Sequence, residues 1–253
     1  MQHLSTLELR FSLSEDIAMS RGQVASMGPF LQGFLMECIA SDYATYLHGL
    51  PFNPYSQYCF LGDNGKTLKW RISTLTNEAF EQIAAPIQLV DSIEIKSLHL
   101  SLPVEQRTLE TISLKDLTDS IYADESSKQS ITFITPASFK QSGSYMFMPS
   151  VRLIFQNLLM RYGQVYENEK EIDPGTLEFI EQNVRMASYD LRSQYFSHAM
   201  NESRKVPAFV GSLRLSIRGS QALTGLVHML SKFGEYSGIG IKTSMGMGGM
   251  RCR

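Results

Sequence analysis

Residues 3–13, HLSTLELRFSL, alternate apolar and polar. That period of two predicts a half-buried strand. The run MGPFLQGFLMECIASDYATYL (27–47) instead places apolar residues at helical spacing, with Gly28 and Pro29 near its start. It predicts one helix over about 22–41. QYCFLGDNGKTLKWRISTL (57–75) is two strand-like runs around Asp-Asn-Gly, a hairpin signal. TNEAFEQIAAPIQL (76–89) opens on a Thr cap and reads as a helix that Pro86 disturbs. SIEIKSLHLSLPV (92–104) returns to strand and completes a β-α-β-β-α-β order.

DLTDSIYADESSKQ (116–129) is polar and acidic and reads as a linker, after which the pattern restarts. SITFITPASF (130–139) predicts a strand, and PSVRLIFQNLLMRYGQVY (149–166) a helix with a stripe of Val151, Ile154, Phe155, Leu158 and Leu159. DPGTLEFIEQNV (173–184) predicts an additional helix. Strands are expected at 189–200 and 206–219, a Ser-capped, glycine-stopped helix at 220–238, and a closing strand through GIKTSMGMGGMRC. The fold class is therefore α+β: two tandem ferredoxin-like (RRM-like, βαββαβ) domains, 1–120 and 128–253. The halves repeat in pattern, not in residue identity.

Composition narrows the function classes. At 43% hydrophobic and 19% charged the 253 residues suit an ordinary globular protein. No stretch approaches the ~18 apolar residues of a membrane span. The N-terminus lacks a basic region followed by an apolar run, so no signal peptide and a cytoplasmic location are expected. Cys38, Cys59 and Cys252 form no CxxC pair and too small a set for a disulfide framework. Charge is uneven. Residues 203–253 hold eight basic residues and one acidic, a local balance of +7 within a chain of net −2. A basic end on an acidic body fits either a polyanion site or a solvated positive face.

That basic end carries GIGIKTSMGMGG (238–249). Glycines allow positive φ and close backbone approach, and successive N–H groups can form anion-binding nests. Lys242 adds a point charge; Thr243 and Ser244 add hydroxyl donors. The spacing is neither GxxxxGK[ST] nor a GxGxxG opening a helix, and no cofactor motif is present. The alternative is a glycine bulge where a last strand packs closely on its neighbour.

The segment FVGSLRLSIRG–SQALTGLVHMLSKFGEYSGIGIKTSMGMG (209–248) resembles the C-terminal signature of the CRISPR-associated repeat-processing endoribonucleases, the Cas-six family of RAMP proteins. ITFITPASFK (131–140) is similar to the family's strand ending in TP-x-x-F. LHGLPFNPYSQY (47–58) is similar to its Leu-His followed by a Pro-Phe-x-x-Ser run. The resemblance implies paired ferredoxin-like domains and the cutting of CRISPR repeats in precursor transcripts. It also implies a metal-independent reaction in which the ribose 2′-OH attacks the adjacent phosphate, leaving 2′,3′-cyclic phosphate and 5′-OH ends.

Such a reaction needs a base, an acid and positive charge at the phosphate. Of the five histidines, His99 and His228 fall in predicted elements, His3 is near the terminus, and His198 follows an aromatic strand. His48 is expected in a loop after the first helix and matches the family's catalytic histidine. The family's lysine just after that histidine is absent, since Gly49, Leu50, Pro51 and Phe52 follow. Lys66, Lys69 and Arg71 on the hairpin are candidates to supply the charge. No tyrosine is assigned, although Tyr43 and Tyr46 are near. RNA contacts are expected from Lys242, Thr243 and Ser244, from the amides around Gly238, Gly240, Gly246 and Gly248, and from Arg204, Lys205, Arg214 and Arg218. The expected partners are repeat RNA and an effector complex that receives the guide RNA. No membrane partner is expected, and the chain is a monomer or a homodimer. The competing readings are a non-catalytic RNA-binding RAMP subunit and a small-molecule-binding α+β protein.

Overall fold

The computed structural model describes residues 2–13, 19–62, 65–123, 126–167, 171–197 and 205–253. Strand β1 (His3–Ser12) buries Leu7, Leu9 and Phe11 on one face, as its alternation predicts. One helix was expected next; three short ones follow. They are α1 (Arg21–Ala25), α2 (Gly28–Cys38) and α3 (Ser41–Gly49). Pro29 is tolerated only in a first helical turn, so the helix restarts at Gly28. Strands β2 (Tyr55–Leu61) and β3 (Thr67–Thr74) form the hairpin. α4 (Asn77–Ala79) runs through a π-turn at Phe80–Ala84 into α5 (Ala85–Gln88), so Pro86 is absorbed by local widening rather than by a stop.

The fourth strand of the first sheet is not 92–104. That segment folds into a separate hairpin, β4 (Ser92–Ile95) and β5 (Leu100–Pro103), while β6 (Gln106–Ser113) pairs with β1. Ile93, Ile95 and Leu102 give it an inward alternation because they pack into the first core. QRTLETIS lies on the sheet edge, exposed over residues 106–111, so no apolar period marked it. The expected linker is also structured. It begins as α6 (Leu114–Asp119), capped by Ser113, whose Oγ accepts from the Asp116 amide at 3.0 Å.

The second half runs β7 (Lys128–Ala137), a small hairpin β8 (Phe139–Gln141) and β9 (Ser144–Met146), α7 (Val151–Tyr162), α8 (Pro174–Asn183), β10 (Val184–Ser197), β11 (Lys205–Ile217), α9 (Gln221–Ser237) and β12 (Met250–Cys252). The last strand is only three residues, so most of the glycine-rich segment is loop. The sheet orders are β2-β3-β1-β6 and β10-β11-β7-β12. Each reads second-third-first-fourth, the arrangement of a ferredoxin-like fold, antiparallel throughout. Two cores result. One centres on Leu7, Trp70 and Ile83; the other on Phe133, Phe155, Leu158 and Phe233. Polar contacts tie the halves together. Ser56 Oγ donates to Tyr236 O at 2.6 Å, and the Tyr166 hydroxyl donates to Leu75 O at 2.8 Å.

Candidate functional site

The loop 238–249 is folded by its own hydrogen bonds. Gly240 N donates to Asn157 Oδ1 at 2.8 Å, Gly248 N to Pro136 O at 2.9 Å and Gly238 N to Gly234 O at 2.9 Å. These three amides shape the loop. Gly240 (φ +77) and Gly248 (φ +68) are required sterically. A Cβ would lie 2.2 Å from Ser138 O at the first and 1.9 Å from Ile239 O at the second. Gly246 packs against Gly28 at the start of α2. Lys242 is left-handed (φ +55), and Thr243 and Ser244 open a short 3-10 turn in which Met245 N returns to Lys242 O. The first amides of such a turn have no partner within it.

Beneath the loop lies Arg161, a residue on α7 that the sequence reading passed over. It is 3% exposed. Nη1 donates to Ser237 O at 2.9 Å and Thr243 Oγ1 at 3.0 Å, Nη2 to Gly240 O at 2.7 Å, and Nε to Asn157 Oδ1 at 3.2 Å. The guanidinium also stacks on the Phe52 ring at 4.9 Å. Every one of these acceptors is neutral. Burial lowers the pKa of Arg161 to about 10, so the buried charge persists at neutral pH.

The first half supplies the opposite wall. Gln57, fully buried, donates from Nε2 to Gly28 O at 2.8 Å and Ser244 O at 2.9 Å, and accepts from Trp70 Nε1 at 2.8 Å. Asn53 Nδ2 reaches Ser244 Oγ at 3.3 Å. Between the walls is a cleft of about 430 Å³, lined by Pro51, Phe52 and Asn53 on one side and by Lys140, Arg161 and residues 240–245 on the other. None of the described residues lining it is acidic. Burial, and then the nearby Lys140 charge, lower the pKa of Lys242. Three cations without a carboxylate leave the cleft electrostatically unmet.

His48 is in the last turn of α3, exposed, rather than in the loop after it. Three residues later Pro51 is already in the cleft wall, and three residues of chain span at most ~11 Å. Tyr43 is buried and Tyr46 half exposed, with ring centroids 5.6 Å apart. Burial raises the Tyr43 phenol well above its ordinary value. Lys69 and Arg71 pair with Phe60 and Tyr58, on the sheet face opposite Gln57. Lys69 is held by Glu8 at 2.7 Å.

The other predicted basic residues divide. Lys205 opens β11 where Val206 and Ala208 pack with Ile241 and Met247 of the glycine-rich loop. Arg214 and Arg218 are exposed roughly 30 Å or more further along the chain, at ~3.3 Å per strand residue. Arg204 and His198 lie outside the described residues.

Residues 131–250 match the family described as CRISPR-associated endoribonuclease Cas6. Cas6 of Mycobacterium tuberculosis is 41% identical over 99% of this chain and 78% of its own length. Cas6 of Streptococcus thermophilus is 36% identical over 87% and 88%. The chain belongs to the Cas6 family. It is accordingly an endoribonuclease. Solved structures agree in fold. A Cas6 product complex superposes with a TM-score of 0.76 at 19% identity over 99% of each chain. Thermus thermophilus Cas6 gives 0.69 at 19% identity over 100% of this chain and 99% of that one. Among the described residues no helix is long and apolar enough to cross a membrane.

Proposed function

We propose that this protein cleaves CRISPR repeats in precursor transcripts, in the cytoplasm, and that the cleft between its halves holds the RNA backbone near the cut. The acid-free set of Lys140, Arg161 and Lys242 carries this reading. Lys242, Thr243 and Ser244 contribute ammonium, hydroxyl and turn amide donors. Lys205 extends the basic surface beside the loop. Arg214 and Arg218 take phosphates further along the RNA, where they add affinity without sequence choice.

His48 acts as acid or base toward the 2′-OH or the 5′-oxygen, and the attack leaves a 2′,3′-cyclic phosphate and a 5′-OH. Protein cations, rather than a metal ion, steady the phosphate in this scheme. Lys140 and Lys242 take the place of the lysine that does not follow His48. Solved relatives described as Cas6 product and substrate mimic complexes fit a repeat RNA as the substrate class.

The test is cleavage of repeat RNA in EDTA with analysis of the product ends. Cyclic phosphate ends from the wild type support the scheme. Cleavage that stops in EDTA and returns with a divalent ion would refute it.

A further inference from the structure

Beside the cleft stands the β8–β9 hairpin. Its pairs are Phe139 with Met146, Lys140 with Tyr145, and Gln141 with Ser144. The two tip residues, Ser142 and Gly143, both have positive φ (+48° and +83°), the geometry of a tight two-residue hairpin turn. One face is anchored. Phe139 is 3% exposed and stacks on Phe209 at 6.1 Å. The other face carries Lys140 and Tyr145, directly opposite each other, where side chains sit about 5 Å apart. Lys140 lines the cleft. Tyr145 is 41% exposed, and Phe147 and Met148 follow it at 48% and 52%.

Three large side chains exposed within four residues, Tyr145 on β9 and Phe147 and Met148 just after it, are not explained by packing. The position of Tyr145 opposite Lys140, a cation of the cleft whose charge reaches Lys242, selects the occupant. It is planar and apolar where it meets Tyr145, and anionic one step away. A nucleotide of single-stranded RNA has that composition.

We propose that the β8–β9 hairpin is a base-stacking platform: Tyr145 stacks an unpaired RNA base next to the phosphate held at Lys140 and Lys242. This rests on the reading of the cleft as the RNA site. The hairpin would then position one nucleotide near the cut, and Phe147 would extend the apolar surface toward a neighbouring base.

The experiment places 2-aminopurine singly along a repeat RNA and reads its fluorescence at saturating protein. The wild type quenches one or two adjacent positions. Tyr145→Phe keeps that quenching, whereas Tyr145→Ala loses it there and not elsewhere, with affinity falling roughly 5- to 150-fold. Tyr122→Ala, exposed on another surface, changes neither readout. Unchanged quenching and affinity in Tyr145→Ala, with tight wild-type binding, overturns the platform and leaves the cleft reading intact. A wild type that does not bind repeat RNA at low salt overturns the cleft reading itself. If Tyr145→Ala binds RNA normally but loses association with a protein of the effector machinery, the patch serves that protein and the platform is wrong.

Discussion

Arg161 Nη2 donates to the carbonyl oxygen of Gly240 at 2.7 Å, across 79 residues of sequence. The bond joins α7 to the glycine-rich loop, and the same guanidinium serves Ser237 and Thr243. Arg161→Ala strands these acceptors in a buried site and removes the cleft's central charge. The expected loss of stability is about 3 kcal/mol, since hydrogen bonds to a charged group contribute more than neutral ones and do not add fully. Arg161→Lys keeps the charge but not the fork, and is expected to lose roughly half of that. Urea unfolding midpoints would decide. A change below about 0.5 kcal/mol in the alanine variant would mean the clamp does not hold the loop.

Glycine substitutions should split by sign. Gly240→Ala forces a left-handed residue and drives its Cβ to 2.2 Å from Ser138 O, so it is destabilising and distorts the loop. Gly33 is inside α2 with nothing within 4 Å of a built Cβ. Gly33→Ala is expected to stabilise by about 0.5–1 kcal/mol through helix propensity. Thermal unfolding of the pair is a direct comparison. Equal effects would contradict the steric account.

The cleft cations should appear in the salt dependence. Replacing Lys140 or Lys242 by Ala removes one phosphate contact and lowers the slope of log affinity against log salt by about 0.7 for single-stranded RNA. Both variants should weaken binding to unrelated RNAs to a similar degree. A variant with unchanged slope places that lysine outside the RNA path.

His48→Ala should separate binding from chemistry. Its repeat affinity is expected to stay within about twofold, while single-turnover cleavage falls by ~100-fold or more, the usual range for an acid–base group. Cleavage at the wild-type rate would assign the chemistry to another residue.

Alkaline pH offers a test of burial. Burial, followed by the Glu235 charge, raises the Cys252 thiol from 9.0 to about 12, and burial raises the Tyr55 phenol from 10.0 to about 12. An acid with a raised folded pKa keeps its proton in the fold after the unfolded chain has released it. Stability is therefore full below pH 9 and falls as pH rises from about 9 to 12. The urea midpoint should drop over this window, and Cys252→Ser should flatten its lower part. A midpoint constant from pH 8 to 11 would rule this out.

The sheets were legible where one face is core. HLSTLELRFSL and LRLSI show the alternation because Leu7, Leu9, Leu213 and Leu215 have a core to meet. β6 did not, because an edge strand exposed over six successive residues carries no apolar period, and the more apolar β4–β5 hairpin took its place in the reading. In the site, the glycine-rich loop with Lys242 stood out by composition. Arg161 did not, because in the sequence it is simply a basic residue at the end of an amphipathic helix. A polar residue at the period of Ile154 and Leu158 was the available signal. Lys140 was hidden similarly, as one charge in a short hairpin whose place beside the loop only the fold reveals.

Gln57 and Ser244 meet across 187 residues. A ribosome adding 5–20 residues per second delivers the second roughly 10 to 40 s after the first. Until then the Gln57 amide, already bonded to Gly28 O, has no loop carbonyl to meet, and the cleft has only one wall. The nascent first half can build its own sheet and core, but it lacks the cations Lys140, Arg161 and Lys242 that line the other side of the cleft. The cleft is thus completed only after the loop has emerged, by the order in which the two walls are made.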